Sequence, residues 1–278
     1  MPAGTWWNVT AGWGWLVPVH SAWPWTVVAV LVGLCLGSFL NVVIHRLPLA
    51  RSIVWPASAC PACGRLLAPW ENVPVLSYVI LLARCRGCRA PISWRYPAVE
   101  LAGGAILGLL VWRLGPGPAA GSAAAFSLFL LAIAWIDAEH RLIPDELSAG
   151  LLAFGLWARG LSAEGLAVGL AGALLGFGGF WVVASGYRRI RGIDGLGGGD
   201  VKLAAGLGAF LGPPGLLLTV LIASTTGSLA GLWLIVRGRG HARTALPFGS
   251  YLAAAAALSM AAGPLLWGRY LEWFGLRP

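Results

Sequence analysis

The sequence predicts an all-α polytopic membrane protein of about eight transmembrane helices with a small cytosolic zinc-binding insertion. Three observations carry that expectation. Hydrophobic residues make up 58% of the 278 positions and charged residues only 10%, with a mean hydropathy of +0.79. A soluble domain of this length cannot hide so much apolar surface. The apolar residues also cluster into stretches that read as eight spans, at 24–44, 97–112, 122–140, 146–160, 164–186, 201–212, 215–236 and 247–268. The 40 glycines suit close helix–helix packing in lipid.

At the start, Trp6, Trp7, Trp13, Trp15, Trp23 and Trp25 crowd together, so residues 1–23 read as an interfacial segment. No Lys or Arg precedes Arg46, so the cationic start of a cleaved signal peptide is missing. Residues 24–45 form the first membrane helix. With the N-terminus outside, the inner loops hold Arg46, Arg51, Arg65, Arg84, Arg86, Arg89, Arg95, Arg141, Arg188, Arg189, Arg191, Lys202, Arg237, Arg239 and Arg243. Arg113, Arg159, Arg269 and Arg277 fall on the outer side. That bias sets the orientation. The net charge of +9 then reflects topology and contact with anionic membrane lipid. Nucleic acid is not expected as a partner, because basic and aromatic residues do not interleave as a binding platform requires.

Residues 46–96 break the apolar pattern. Cys60-Pro61-Ala62-Cys63 and Cys85-Arg86-Gly87-Cys88 are two Cys-x-x-Cys pairs about twenty residues apart, the spacing of a tetrahedral zinc site. Four thiolates leave no open position, so the ion is expected to be structural. Two disulfides are the alternative, which a cytosolic location disfavours. Between the pairs, 73–83 is apolar but too short to span, and fits a buried or interfacial helix. Cys35 reads as a packing residue.

The remainder, 97–278, reads as a transmembrane core. The chain has four aspartates, Asp137, Asp145, Asp194 and Asp200. Asp137 and Asp200 sit in apolar stretches, where a carboxylate is a functional candidate by default. The span from Val201 to Gly212 ends at Pro213-Pro214. At ~1.5 Å per residue it is about 18 Å long, short of a ~30 Å hydrocarbon core. Asp200 therefore lies below the inner surface, and Asp137, one turn before His140 and Arg141, shares that depth. The plainer readings are a pair between Asp137 and Arg141 and helix N-caps at Asp145 and Asp200. Gly197-Gly198-Gly199 before Asp200 allows close approach of another backbone, such as an extended substrate. Lys202 reads as snorkelling to headgroups. Ser38, Asn41 and His45 line the inner half of the first span. Glu100 is an acid in lipid with either a structural or a ligand-binding role. No serine–histidine hydrolase pattern is visible.

In order, these pieces resemble the type IV prepilin peptidases, the bacterial leader peptidase/N-methyltransferases. The resemblance runs from Gly37-Ser38-Phe39-Leu40-Asn41 through the cysteine quartet and Glu71-Asn72-Val73-Pro74. It continues with Tyr96-Pro97-Ala98-Val99-Glu100, Ile136-Asp137, Ile143-Pro144-Asp145, Gly197-Gly198-Gly199-Asp200 and Leu246-Pro247-Phe248-Gly249. It implies a multi-pass protein of the bacterial inner membrane whose active site faces the cytoplasm. It implies two reactions: removal of a basic leader from prepilin or pseudopilin substrates, and methylation of the new N-terminal amine by S-adenosylmethionine. Carried over motif by motif, Asp137 and Asp200 form the peptidase pair, Cys60, Cys63, Cys85 and Cys88 hold zinc, and Glu100 and Gly104 are associated with methyl transfer. Paired carboxylates titrate as a coupled pair, so the ionised one can take a proton from water while the protonated one polarises the scissile carbonyl. Glu71, Glu139 and Asp194 are the acids expected to offset the cationic inner loops. A peptidase without methyltransferase activity is the nearest alternative. A proton-coupled transporter and a zinc-organised scaffold are the others; a transporter would show internal repeats, and none is visible.

Overall fold

The computed structural model describes residues 23–160, 162–193, 195–238, 246–273 and 275. Apart from Trp23, the expected interfacial segment lies outside the described residues, as does Asp194. The described residues form the helices α1 (Trp23–Arg46), α2 (Leu76–Ile80), α3 (Arg95–Leu114), α4 (Pro118–His140), α5 (Asp145–Arg159), α6 (Ala163–Arg191), α7 (Gly198–Val236) and α8 (Phe248–Trp273). The all-α class is as expected. Five of these, α1, α3, α4, α6 and α7, are long and apolar enough to cross a membrane, while the apolar part of α8, Phe248–Gly263, is shorter.

The spans expected at 201–212 and 215–236 are both present as two helical limbs of α7, separated where Gly212 leaves the helical conformation with φ 73° and ψ 174°. Glycine reaches that backbone conformation without a Cβ clash, and Pro213 and Pro214 then open the second limb, where their missing N–H groups are tolerated. The bend frees carbonyls of the first limb. Arg159, 4% exposed, donates its Nε–H to the Phe210 carbonyl at 2.7 Å.

The described residues divide into two compact units, one up to Ala132 and one from Ile133 onward. In the first, α1 packs along α3. The helices meet through glycine: a Cβ on Gly37 would sit 2.6 Å from the Glu100 Cα. Leu76, Val79, Ile80 and Leu82, on and just after α2, are exposed, which suits the interfacial reading of that stretch.

In the second unit α7 is the central helix, and α5, α6 and α8 each pack against it. Residues Leu203 to Gly212 are buried without interruption, so this limb is apolar on every side. Ser162 caps α6 by accepting the Gly165 N–H at 3.1 Å, and Arg188, Arg189 and Arg191 sit in its last turn, where cations offset the helix dipole. At the α6–α7 crossing the backbones touch, because a Cβ on Gly208 would collide with the Gly172 carbonyl. Gly208→Ala is therefore expected to cost about 1–3 kcal/mol through forced separation of the helices. The thermal unfolding midpoint of the purified protein in detergent would show it.

Candidate active site and candidate metal centre

Asp137 lies near the C-terminal end of α4 and is 5% exposed. Its Oδ2 accepts the Ser250 N–H at 2.6 Å and lies 2.9 Å from the Ser250 hydroxyl. The same hydroxyl is 2.9 Å from the Ala134 carbonyl, so it links the first turn of α8 to the last turns of α4. Gly249 makes this approach possible: a Cβ there would sit 3.1 Å from the Asp137 Cγ and 2.7 Å from the Ile143 Cδ1.

Asp200 is the third residue of α7, with Gly197 as its N-cap. Its N–H donates to the Gly197 carbonyl at 3.1 Å, and its carboxyl reaches back to the Gly197 N–H, as acids at this helix position do. Asp200 Oδ1 is buried without a hydrogen-bond partner. Ile143 packs against Gly199 as well as Gly249. It brings the two aspartates into one neighbourhood, close enough for their charges to interact.

The plainer readings of these acids resolve differently. Arg141 leaves the helix with φ 55° and contributes its backbone N–H to the Asp137 carbonyl; the carboxyl is taken by Ser250. Pro144, not Asp145, is the N-cap of α5. Lys202 does not snorkel. It donates to both Asp145 oxygens at 2.7 Å, because the first turns of α5 and α7 lie side by side. Glu71 is not available to a cationic substrate, since Arg65 and the Ala68 N–H each bond it at 2.7 Å. Those two donors, Arg65 first, hold its carboxyl below the usual range. Glu139 accepts the Trp135 indole N–H at 3.0 Å.

The four cysteines converge. All four Sγ atoms lie within 4.8 Å of one another, Cys60 and Cys88 are 3.9 Å apart, and none forms a disulfide. A tetrahedral ion with ~2.3 Å metal–sulfur bonds places its ligands about 3.8 Å apart, so the quartet fits zinc. Two matching knuckles build the site. The Cys60 N–H bonds the Arg65 carbonyl and the Cys85 N–H bonds the Ala90 carbonyl, beside the bridges Ala59–Leu66 and Arg84–Pro91. Each turn closes one residue past its second cysteine, at Gly64 with φ 71° and Arg89 with φ 58°. Backbone N–H groups of Cys88 and then Gly87 pull the Cys85 thiol down to about 6, toward the thiolate a metal requires. Arg65 lies against Gly87 and so ties the knuckles to Glu71.

Glu100 is 8% exposed and its Oε2 accepts the Val75 N–H at 2.7 Å. With Ser38, Asn41 and His45 it lines a cavity of about 670 Å³. Gly104, one turn further along α3, does not line it; a Cβ there would sit 3.0 Å from the Leu34 Cγ, so Gly104 is a packing position against α1. Two groups escaped sequence reasoning. Ser250 follows directly on the Pro247-Phe248-Gly249 motif, which was the available signal. The Val75 N–H had none, because a backbone donor leaves no mark in a sequence.

Residues 31–114 match the model of the bacterial peptidase A24 N-terminal domain, and residues 124–232 match that of the type IV leader peptidase family. The chain is 41% identical over 259 residues to a prepilin leader peptidase/N-methyltransferase of Burkholderia pseudomallei, covering 84% of each chain. It is 38% identical to one of Pseudomonas aeruginosa, covering 89% of this chain and 94% of that one. For one of Aeromonas hydrophila the identity is 35%, covering 91% and 94%. No solved structure matches significantly.

Proposed function

This chain belongs to the type IV leader peptidase family, and we propose that it removes the basic leader of prepilin-like proteins and N-methylates the residue so exposed. It is a multi-pass membrane enzyme of that family. The distribution of its basic residues supports an external N-terminus and a cytoplasmic active site, and the resemblance to bacterial leader peptidases supports the inner membrane. The observation that carries the peptidase reading is the convergence of Asp137 and Asp200 through Ile143, Gly199 and Gly249.

In this reading the pair, within the 97–278 peptidase core, shares one proton. The ionised carboxylate takes a proton from a water molecule, whose oxygen attacks the scissile carbonyl; the protonated one donates to the carbonyl oxygen and then to the leaving amine. No acyl-enzyme forms. Ser250 sets the orientation of Asp137. The glycine run before Asp200 leaves room for an extended substrate backbone.

The cysteine segment, 46–96, belongs to the second reaction. Cys60, Cys63, Cys85 and Cys88 hold a structural zinc ion that folds the segment. S-adenosylmethionine, when bound, supplies a methyl group on a sulfonium; the amine lone pair takes the methyl, the C–S electrons stay on sulfur, and the amine loses a proton. Gly104 serves this reaction through packing, by letting α3 lie close to α1.

The test is the intact mass of a prepilin or pseudopilin co-expressed with the protein. Loss of the leader with gain of one methyl mass is the expected product. Loss of the leader alone would leave a peptidase without the transferase, and an uncut substrate with folded enzyme would overturn the proposal.

A further inference from the structure

We infer that the groove between the last turns of α7 and the first turn of α8 holds the apolar segment of the substrate that follows the scissile bond. This rests on the peptidase half of the function above and adds to it where the substrate lies. The groove has a volume of about 520 Å³, and its lining runs from Ser224 to Tyr251. It therefore belongs wholly to the second unit.

Its position selects the occupant. Phe248 and Tyr251 form its α8 wall, and the two residues between them are those that meet Asp137. The Ser250 N–H bonds Oδ2 at 2.6 Å, and a Cβ on Gly249 would sit 3.1 Å from Cγ. The groove thus opens within one helical turn of the residues that hold the catalytic carboxyl. Phe180 of α6 packs on Phe248 with ring centroids 6.5 Å apart, which fixes that wall. A substrate cut at Asp137 keeps its basic leader in water, so the chain beyond the scissile bond runs into the bilayer, where its backbone must be helical. A groove this close to the cut lies beside that helix. A second copy of this chain seated there would block the approach to Asp137.

The surface suits a helix. On the α7 side Ser224, Gly227, Ser228 and Gly231 line the groove, at positions i, i+3, i+4 and i+7 of one helix face. Residues this small let a neighbouring backbone come close. Leu232 and Ile235 extend the lining with apolar side chains, and Leu232 is 59% exposed. The hydroxyls give an independent indication. Thr225 and Thr226 return theirs to the Leu221 and Ile222 carbonyls at 2.8 and 2.7 Å, as hydroxyls on helices do when nothing else is offered. Ser224 and Ser228, which face the groove, make no hydrogen bond among the described residues. In hydrocarbon such a group is costly. A helix seated in the groove gives it a partner, and lipid tails give it none.

The test places a photoreactive benzophenone side chain at Leu232 in the full-length Asp200→Asn protein, reconstituted in lipid vesicles with an uncut prepilin or pseudopilin. Crosslinks, mapped by peptide mass, are expected to substrate residues beyond the scissile bond. The same group at Leu174, which is 73% exposed on α6, is expected to give none. In the otherwise native enzyme Ser228→Phe, which fills the groove from α7, is expected to raise KM for leader cleavage about tenfold with kcat unchanged. Leu174→Phe is expected to leave both as in the wild type. A melting curve reports that each variant is folded. Crosslinks from Leu232 to a second copy of this chain or to lipid alone, or equal crosslinking from Leu174, would overturn the assignment while wild-type cleavage stood. So would a folded Ser228→Phe variant with the wild-type KM. A wild type that cuts no prepilin would remove the peptidase reading and this inference with it.

Discussion

Asp200→Asn is expected to lower leader cleavage by about 10²–10⁴-fold, the range that one positioned acid or base supplies, and Asp137→Asn to do the same. The argument is one of protonation, not of folding. Asparagine has the shape of aspartate, and at position 137 its amide oxygen still accepts from Ser250, which bonds the carboxyl at 2.6 and 2.9 Å. Position 200 keeps its place in the first turn of α7 behind Gly197. A neutral amide in place of one of two coupled carboxyls puts no added charge into a partly desolvated site, so the thermal midpoint should hold or rise. What is lost is a proton held at one carboxyl and a proton acceptor at the other. Ser250→Ala should do less, about tenfold, since the backbone N–H remains and only the orienting hydroxyl is gone. Single-turnover cleavage of a purified prepilin, with a melting curve beside each variant, checks the set. A variant that stays folded and cleaves at the wild-type rate would remove that aspartate from the mechanism.

The second large effect concerns the metal. Stripping the ion with a chelator, or replacing Cys63 and Cys88 with serine, is expected to unfold the knuckles and abolish N-methylation while leader cleavage persists. Zinc bound to four thiolates contributes on the order of 10 kcal/mol to the folding of small sites, and little else holds these turns. Two isolated bridges, the Arg65–Glu71 pair at 2.7 Å and two backbone turns are too few to replace it. Cys60 and Cys85 are buried, so their partners are changed instead, which limits the damage to the ligand set. The aspartates take their contacts from Ser250, Gly197, Gly249 and Ile143, all within 133–278, which is why cleavage should outlast the metal. Metal content by mass spectrometry, limited proteolysis within 46–96 and the intact mass of the processed substrate read the three consequences separately. Retained methylation in zinc-free protein would refute the structural role.

Much of this was legible before any coordinates. Composition dictates a helical membrane protein, because lipid offers backbone groups no partner outside a helix or closed barrel. The cysteine spacing pointed to one tetrahedral centre, and the rarity of aspartate singled out Asp137 and Asp200, since charge in an apolar stretch is too costly to be incidental. These features are local, set by the residue and its neighbours along the chain.

What only the tertiary structure decided involves partners far apart in sequence. Ser250 meets Asp137 across 113 positions, Lys202 takes Asp145 rather than lipid, and Glu71 is spent on Arg65. The break at Gly212 falls between the two expected spans, but only the structure shows that Arg159 comes from α5 to take the Phe210 carbonyl beside it. The cavity around Asn41 and Glu100 follows the same rule. Its walls come from three separate stretches of chain, and its key donor is a backbone N–H, which every residue type but proline carries and no sequence can single out.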